Sequence, residues 1–265
     1  MLAPKGTLAG LRPMTRHPLL LSLAAVVALA GCVSSPYQDP EAQAARLALI
    51  NLQLGVGYMQ EGKTQLALEK LRKAVKVDPN SADAHLALAL LYDRIGEDDA
   101  ADLHFRDAMR LAPENASIQT NYGNFLCRLN RTAEAEQQFR QAAENRSYES
   151  PELAYFNAGL CMSRQGAPDR AEDYLRQALA ASPQFAPALF SLADLNQSQG
   201  RPQQARAFLQ RYHDTSPPSA QSLALGVRIE RSLGDAKAAA NYSELLRTRF
   251  PDSPEARQVS AGRPK

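Results

Sequence analysis

Apolar residues recur through residues 48–253 as paired stripes at helical spacing. Leu86, Leu88, Leu90 and Leu91 form one stripe, and Leu103, Phe105, Ala108 and Met109 form the next. Returns at three and four residues predict two amphipathic helices per unit. Small residues keep a fixed phase with the stripes. Ala67 and Ala74 precede Pro79 by 12 and 5 residues; Ala101 and Ala108 precede Pro113, and Ala171 and Ala178 precede Pro183, by the same offsets. Pro79, Pro113, Pro183, Pro217 and Pro251 fall at intervals of 34, 70, 34 and 34, the long one being two periods plus two residues. A mid-unit glycine stands at Gly62, Gly96, Gly166, Gly200 and Gly234. Glycine suits a left-handed cap between two helices. Proline cannot continue a helix and so closes the second one.

Near the start of the units come Gly55 and Tyr58, Ala89 and Tyr92, Gly123 and Leu126, and Gly159 and Met162. With the Ala and Pro positions this resembles the tetratricopeptide (TPR) pattern. Six units are read, at about 48–81, 82–115, 116–151, 152–185, 186–219 and 220–253. The expected fold is all-α, a TPR helical-repeat superhelix over residues 41–253. One helix pair cannot bury its apolar face alone, so the units must stack. An ordinary bundle would not hold Ala, Gly and Pro in register over six units. A stack presents a long surface rather than a catalytic pocket.

The ends read differently. Residues 1–31 hold no acid, carry Lys5, Arg12 and Arg16, and contain an apolar run from Leu19 to Ala30 that is too short to span a bilayer. That order reads as an export signal. Its end, Leu29-Ala30-Gly31-Cys32, resembles a bacterial lipobox, which implies cleavage before Cys32 and lipidation of its sulfur and amine. A plain signal with an incidental Cys is the alternative, and Met14 is a second possible start. Val33 rather than Asp after the Cys implies, by resemblance to lipoprotein sorting rules, transfer to the outer membrane. Residues 32–40 read as the lipidated Cys and a tether with two prolines. Its eight residues after Cys32 would reach at most roughly 25–30 Å. Residues 254–265 are polar and aperiodic and are expected to be a flexible tail.

Removing the signal changes the charge. Its three basic residues leave 27 of 30 against 28 acidic ones, so the mature chain is near neutral and carries no block of like charge. Nothing there points to nucleic acid.

Cys127 and Cys161 lie 34 residues apart on the first helices of units 3 and 4. An exported chain meets an oxidising compartment, where such a pair forms a disulfide. The alternative is two small buried apolar residues. Neither Cys lies in a CxxC, which argues against redox or zinc chemistry. The histidines are His17, His85, His104 and His213, with no HxxxH spacing, and His85 occupies a position expected to pack rather than ligate. GxSxG, P-loop and GxGxxG motifs are absent, and Gly55-Val56-Gly57 lies on a helix without a phosphate loop. No catalytic, cofactor or metal set is expected.

The stretches Asn121-Tyr122-Gly123-Asn124-Phe125-Leu126-Cys127 and Asn157-Ala158-Gly159-Leu160-Cys161 resemble the PilF/PilW family of type IV pilus biogenesis lipoproteins. Asn124 departs from that resemblance, since a bulky aromatic is expected there. The resemblance implies a pilotin, which brings the outer-membrane secretin to its membrane and supports its assembly into a ring. It also implies pairing of Cys127 with Cys161. The rivals are a generic outer-membrane TPR lipoprotein serving protein insertion or cell-wall enzymes, and a cell-wall hydrolase.

In TPR stacks, positions 2, 5, 9, 12 and 13 of each unit commonly line the concave face. Unit 1 places Leu49, Leu52, Val56, Met59 and Gln60 there; unit 2 places Asp83, Leu86, Leu90, Asp93 and Arg94. Unit 3 supplies Ser117, Thr120, Asn124, Cys127 and Arg128, and unit 6 supplies Gln221, Ala224, Arg228, Arg231 and Ser232. The expected partner groove is therefore apolar at the N-terminal end, through Leu49, Leu52, Val56, Met59, Leu86 and Leu90. It suits an apolar partner segment rather than a terminal carboxylate. The alternative is that residues 41–47 fold over the first helix and cover these side chains.

Overall fold

The structure, a computed structural model, describes residues 39–261, with side chains as far as residue 259. All its regular elements are helices. The first pair is α1 (Pro40–Gln60) and α2 (Thr64–Val77), followed by α3 (Ala82–Ile95) and α4 (Asp98–Leu111). Next come α5 (Ala116–Arg128) with α6 (Thr132–Glu144), and α7 (Pro151–Arg164) with α8 (Pro168–Ala181). The series closes with α9 (Ala186–Ser198) and α10 (Pro202–Thr215), α11 (Ala220–Ser232) and α12 (Ala236–Arg249), and a short α13 (Pro254–Ala261). None of the described helices is long and apolar enough to cross a membrane.

Local chemistry sets these boundaries. Ser81, Asn115 and Ser219 accept hydrogen bonds from backbone amides in the first turns of α3, α5 and α11. Such capping satisfies donors that the helix leaves unpaired. The turn inside a pair needs one left-handed residue, which is Gly96 after α3, at φ 79°. Unit 3 has no glycine there; Asn130 takes the conformation at φ 60°, a role its short polar side chain tolerates. The two residues that stretch the proline interval to 70 fall between α6 and α7, where residues 145–150 replace a four-residue link.

The pairs close on small residues. Ala67, Ala101, Ala135, Ala171 and Ala205 are fully buried at equivalent places in the second helices. At Gly55, Gly123 and Gly159 an added Cβ would stand 2.5–2.8 Å from Leu71, Phe139 and Leu175 respectively, so the helices touch where no side chain intervenes. Each second helix then packs on the first helix of the next unit, and one apolar core runs from Met59 to Ile229. Phe105, Phe125 and Phe139 are its largest fully buried side chains.

Two expectations are corrected. The tether expected over residues 32–40 gives way to helix at Pro40, and residues 41–47 do not fold over the first helix, the alternative reading, but are the first turns of α1, which is longer than any other helix described. Residues 254–261 are not a frayed tail. The Ser253 hydroxyl accepts from the Ala256 amide, Pro254 opens the helix, and Ala256 and Val259 pack with Leu223 and Leu246. A polar composition concealed an i,i+3 apolar pair. α13 rests on both α11 and α12, as the first helix of a seventh unit would.

Candidate partner-binding surface

The first helices of neighbouring units touch: α1 with α3, α3 with α5, α5 with α7, and α9 with α11. Their second helices have no comparable contact. The closer row is the inner side of a curved stack, so α1, α3, α5, α7, α9 and α11 form the concave wall.

Along that wall several polar and charged side chains at positions 9, 12 and 13 are already used. Arg94 Nη1 donates to the Met59 carbonyl at 2.8 Å. Arg128 donates to Asp93 at 2.7 Å and to Asp98 at 2.5 Å. Further on, Arg228 pairs with Asp194 at 2.7 Å, and Gln197 donates to Ser232 at 2.8 Å. These residues tie neighbouring units together, one period apart. Cys127 and Cys161 stand beside each other on α5 and α7 with Cα atoms 5.9 Å apart and sulfurs bonded. Both are buried, so Cys127 is not part of the wall. At the far end α13 leans over Gln221, Ala224, Arg228 and Arg231, and the open basic wall expected of unit 6 becomes a cleft shared with Glu255, Gln258 and Val259.

The second helices carry a parallel ladder. Glu172 is buried between Arg176 and Arg201; burial pushes its carboxyl up, and the two guanidiniums outweigh this and hold it below the ordinary range. The Arg170 guanidinium and the Tyr174 hydroxyl donate to Glu136 and hold it low despite partial burial. Burial and this carboxylate push Tyr174 up to about 12. These are inter-unit struts.

Among the described residues nothing covers the apolar end of the wall. Leu49 is 52 % exposed and Val56 36 %, while Leu52, Leu86 and Leu90 are half-buried along the same side. Met59 departs from the expectation: it is 8 % exposed and belongs to the core. The stripe of α1 that meets the rest of the fold is Ala48, Asn51, Gly55 and Met59. At 100° per residue, Leu49, Leu52 and Val56 lie on one side of that stripe.

On the other side lie Leu47, Ile50 and Leu54, exposed by 43 %, 43 % and 44 %. Sequence reasoning missed these three. Ile50 and Leu54 hold positions 3 and 7 of unit 1. In unit 2 those positions are Ala84 and Leu88, and in unit 3 Ile118 and Tyr122, all buried beneath the preceding second helix. Unit 1 has no preceding unit among the described residues. The signal was therefore available: an interior-type pattern in a first repeat. A helix apolar on several sides is normally buried, and a stack normally ends in a polar cap. Among the described residues α13 supplies such an end after α12, and none precedes α1.

One polar cluster lies apart from the wall. His85 on α3 is buried, and its Nδ1 lies 3.0 Å from His104 Nδ1 and 3.7 Å from Asp107 Oδ2, both on α4. Burial, aided by His85 and Arg72, holds the His104 imidazole below its ordinary pKa. Cys32 and residues 33–38 lie outside the described residues.

A stacked array of helix pairs with a concave wall defines a TPR protein, a class that mediates protein–protein contacts. Tetratricopeptide-repeat family models match residues 55–96, 84–118, 114–184 and 163–225. The type IV pilus assembly protein PilF of Pseudomonas aeruginosa is 34% identical over 253 residues, covering 94% of this chain and 99% of that protein. The crystal structure of PilW, a type IV pilus biogenesis factor, superposes with a TM-score of 0.71 at 36% identity, over 81% of this chain and 99% of that one. The P. aeruginosa PilF structure gives 0.68 at 31%, over 83% and 100%. The chain belongs to the PilF/PilW family of type IV pilus TPR proteins.

Proposed function

We propose that this chain is a pilotin: a non-enzymatic adaptor, lipid-anchored through Cys32 on the periplasmic face of the outer membrane, that captures the type IV pilus secretin and promotes its multimerisation. The observation that carries the reading is the concentration of exposed apolar side chains on α1, with Leu49 and Val56 on the wall and Leu47, Ile50 and Leu54 at the end of the stack. A contiguous apolar surface on a soluble domain marks a binding site. An amphipathic segment of the secretin laid along α1 and α3 would bury its anchors against Leu49, Leu52, Val56, Leu86 and Leu90. The inter-unit use of Arg94 and Arg128 supports an apolar rather than a carboxylate-reading site.

The test is Leu52→Asp and Val56→Asp. Each variant should keep its circular dichroism spectrum and reach the outer membrane, yet fail to capture the secretin. Normal capture by both folded variants removes the wall from consideration. Cys32→Ala separates the anchor from the docking: it should mislocalise the protein while leaving capture by the purified soluble domain intact.

A further inference from the structure

We propose that His85, His104 and Asp107 form a binding site for a zinc-class divalent cation within the second repeat. One donor atom from each lies within 4.8 Å of the others. The site is built by the fold: His104 and Asp107 share one face of α4 at i,i+3, and His85 faces them from α3.

The tautomer of His85 follows from its second nitrogen. His85 Nε2 lies 3.2 Å from the Pro79 carbonyl. A carbonyl only accepts, so Nε2 carries the hydrogen, and in the neutral ring the lone pair is then on Nδ1, which faces His104 and Asp107. Gln119, at the same position of the next unit, makes the equivalent bond, donating Nε2 to the Pro113 carbonyl at 2.8 Å. The helix-start carbonyl thus recruits a donor in both units, and in unit 2 the donor is a ring with a second nitrogen to spare. Metal-binding imidazoles are commonly oriented by such a bond from the distal nitrogen.

Distances and second contacts fit. Ligands about 2.0–2.1 Å from a tetrahedral zinc stand roughly 3.3–3.4 Å apart. The His85–His104 and His85–Asp107 separations of 3.0 and 3.7 Å bracket that edge, while the His104–Asp107 edge lies within 4.8 Å and closes by rotation of the partly exposed side chains. Asp107 accepts from Arg110 through Oδ1 at 3.0 Å, leaving Oδ2 for the cation. The His104 ring is stacked on Tyr92, whose hydroxyl accepts from Arg72 at 2.9 Å, which engages that neighbouring guanidinium. Two imidazoles and one carboxylate are a borderline donor set, suited to zinc and its first-row neighbours rather than to magnesium or calcium. Three protein ligands leave a fourth position for water or for a side chain of a bound partner.

The experiment uses the soluble domain, freed of any polyhistidine tag and stripped with chelator, titrated with Co2+ by visible absorption and with Zn2+ by calorimetry. Wild type should show the intense spectrum of tetrahedral Co2+ at one equivalent, and Zn2+ should raise the melting temperature. His104→Gln and Asp107→Asn are partly exposed and should fold by circular dichroism; each should weaken binding at least about tenfold. Wild-type titrations no different from His104→Gln, or a pale octahedral spectrum, overturn the proposal and leave a hydrogen-bonded histidine pair.

Discussion

Leu54 and Leu88 occupy the same position in adjacent repeats, and replacing each by alanine separates docking surface from core. Leu88 is 1 % exposed, packed under α2 and against its own unit. Removing such a side chain costs about 2–5 kcal/mol, as lost transfer energy and a cavity. In a stack of this size that lowers the melting temperature by about 2–4 °C per kcal/mol. Leu54 is 44 % exposed, with no preceding helix over it among the described residues. Full burial of a leucine contributes about 1.5–3 kcal/mol, so the part of Leu54 already covered contributes about 1–1.5 kcal/mol. The part still in water is worth about 1 kcal/mol to any partner that covers it, which is roughly a fivefold change in Kd. The five exposed side chains from Leu47 to Val56 together hold about as much uncovered surface as two whole leucines, or roughly 3–6 kcal/mol of gross docking energy. Leu54→Asp would add the cost of desolvating a carboxylate. The assay pairs thermal melts with calorimetric binding of the purified periplasmic region of the secretin. Leu88→Ala should lose about 2–5 kcal/mol, whereas Leu54→Ala should lose at most about 1–1.5 kcal/mol and bind more weakly. If Leu54→Ala melts as low as Leu88→Ala, the chain itself covers that face. If folded Leu54→Asp binds normally, the end of the stack is not part of the docking surface.

Three further outcomes are expected. Replacing Cys127 and Cys161 together by alanine should remove about 4 kcal/mol, from the chain entropy of a loop spanning 34 residues, without abolishing the fold; peptide mapping under non-reducing conditions should show the bond, and two free thiols in protein from the envelope would refute it. Gly159→Ala should cost about 1–3 kcal/mol, since its Cβ would stand 2.8 Å from Leu175 Cγ and 3.2 Å from the Ala171 carbonyl, whereas Gly57→Ala, with nothing within 4 Å, should gain about 0.5–1 kcal/mol; equal melting temperatures would contradict the packing described. Glu136 and Glu172 titrate below the ordinary carboxylate range in the folded chain, so their contribution is present above the unfolded carboxylate pKa and is lost as pH falls through the folded values; Glu172→Gln should lower stability at neutral pH and shallow the acid limb of a stability–pH curve, and an unchanged curve would remove this strut.

The repeat was legible in the sequence because its constraints are local. Ala67 and its periodic successors must be small where two helices meet, Gly96 must turn left-handed, and Pro79 must stop a helix; each requirement acts on a residue and its near neighbours, so it recurs at fixed spacing. Tertiary structure decided what lies across the stack. Met59 and Val56 both read as groove residues, yet one turns into the core and the other stays in water. Arg94 and Arg128 read as free groove charges and are spent on the neighbouring unit. Residues 254–261 read as a tail, and two apolar side chains at i,i+3 suffice to seat them. Leu54 reads like Leu88, and it is exposed because no helix precedes α1 among the described residues. His85, His104 and Asp107 are separated by 19 and 3 residues in the chain and meet only because α3 packs on α4. Periodicity states which residues are equivalent; burial depends on which neighbour each equivalent position meets, and at the two ends of a stack that neighbour differs.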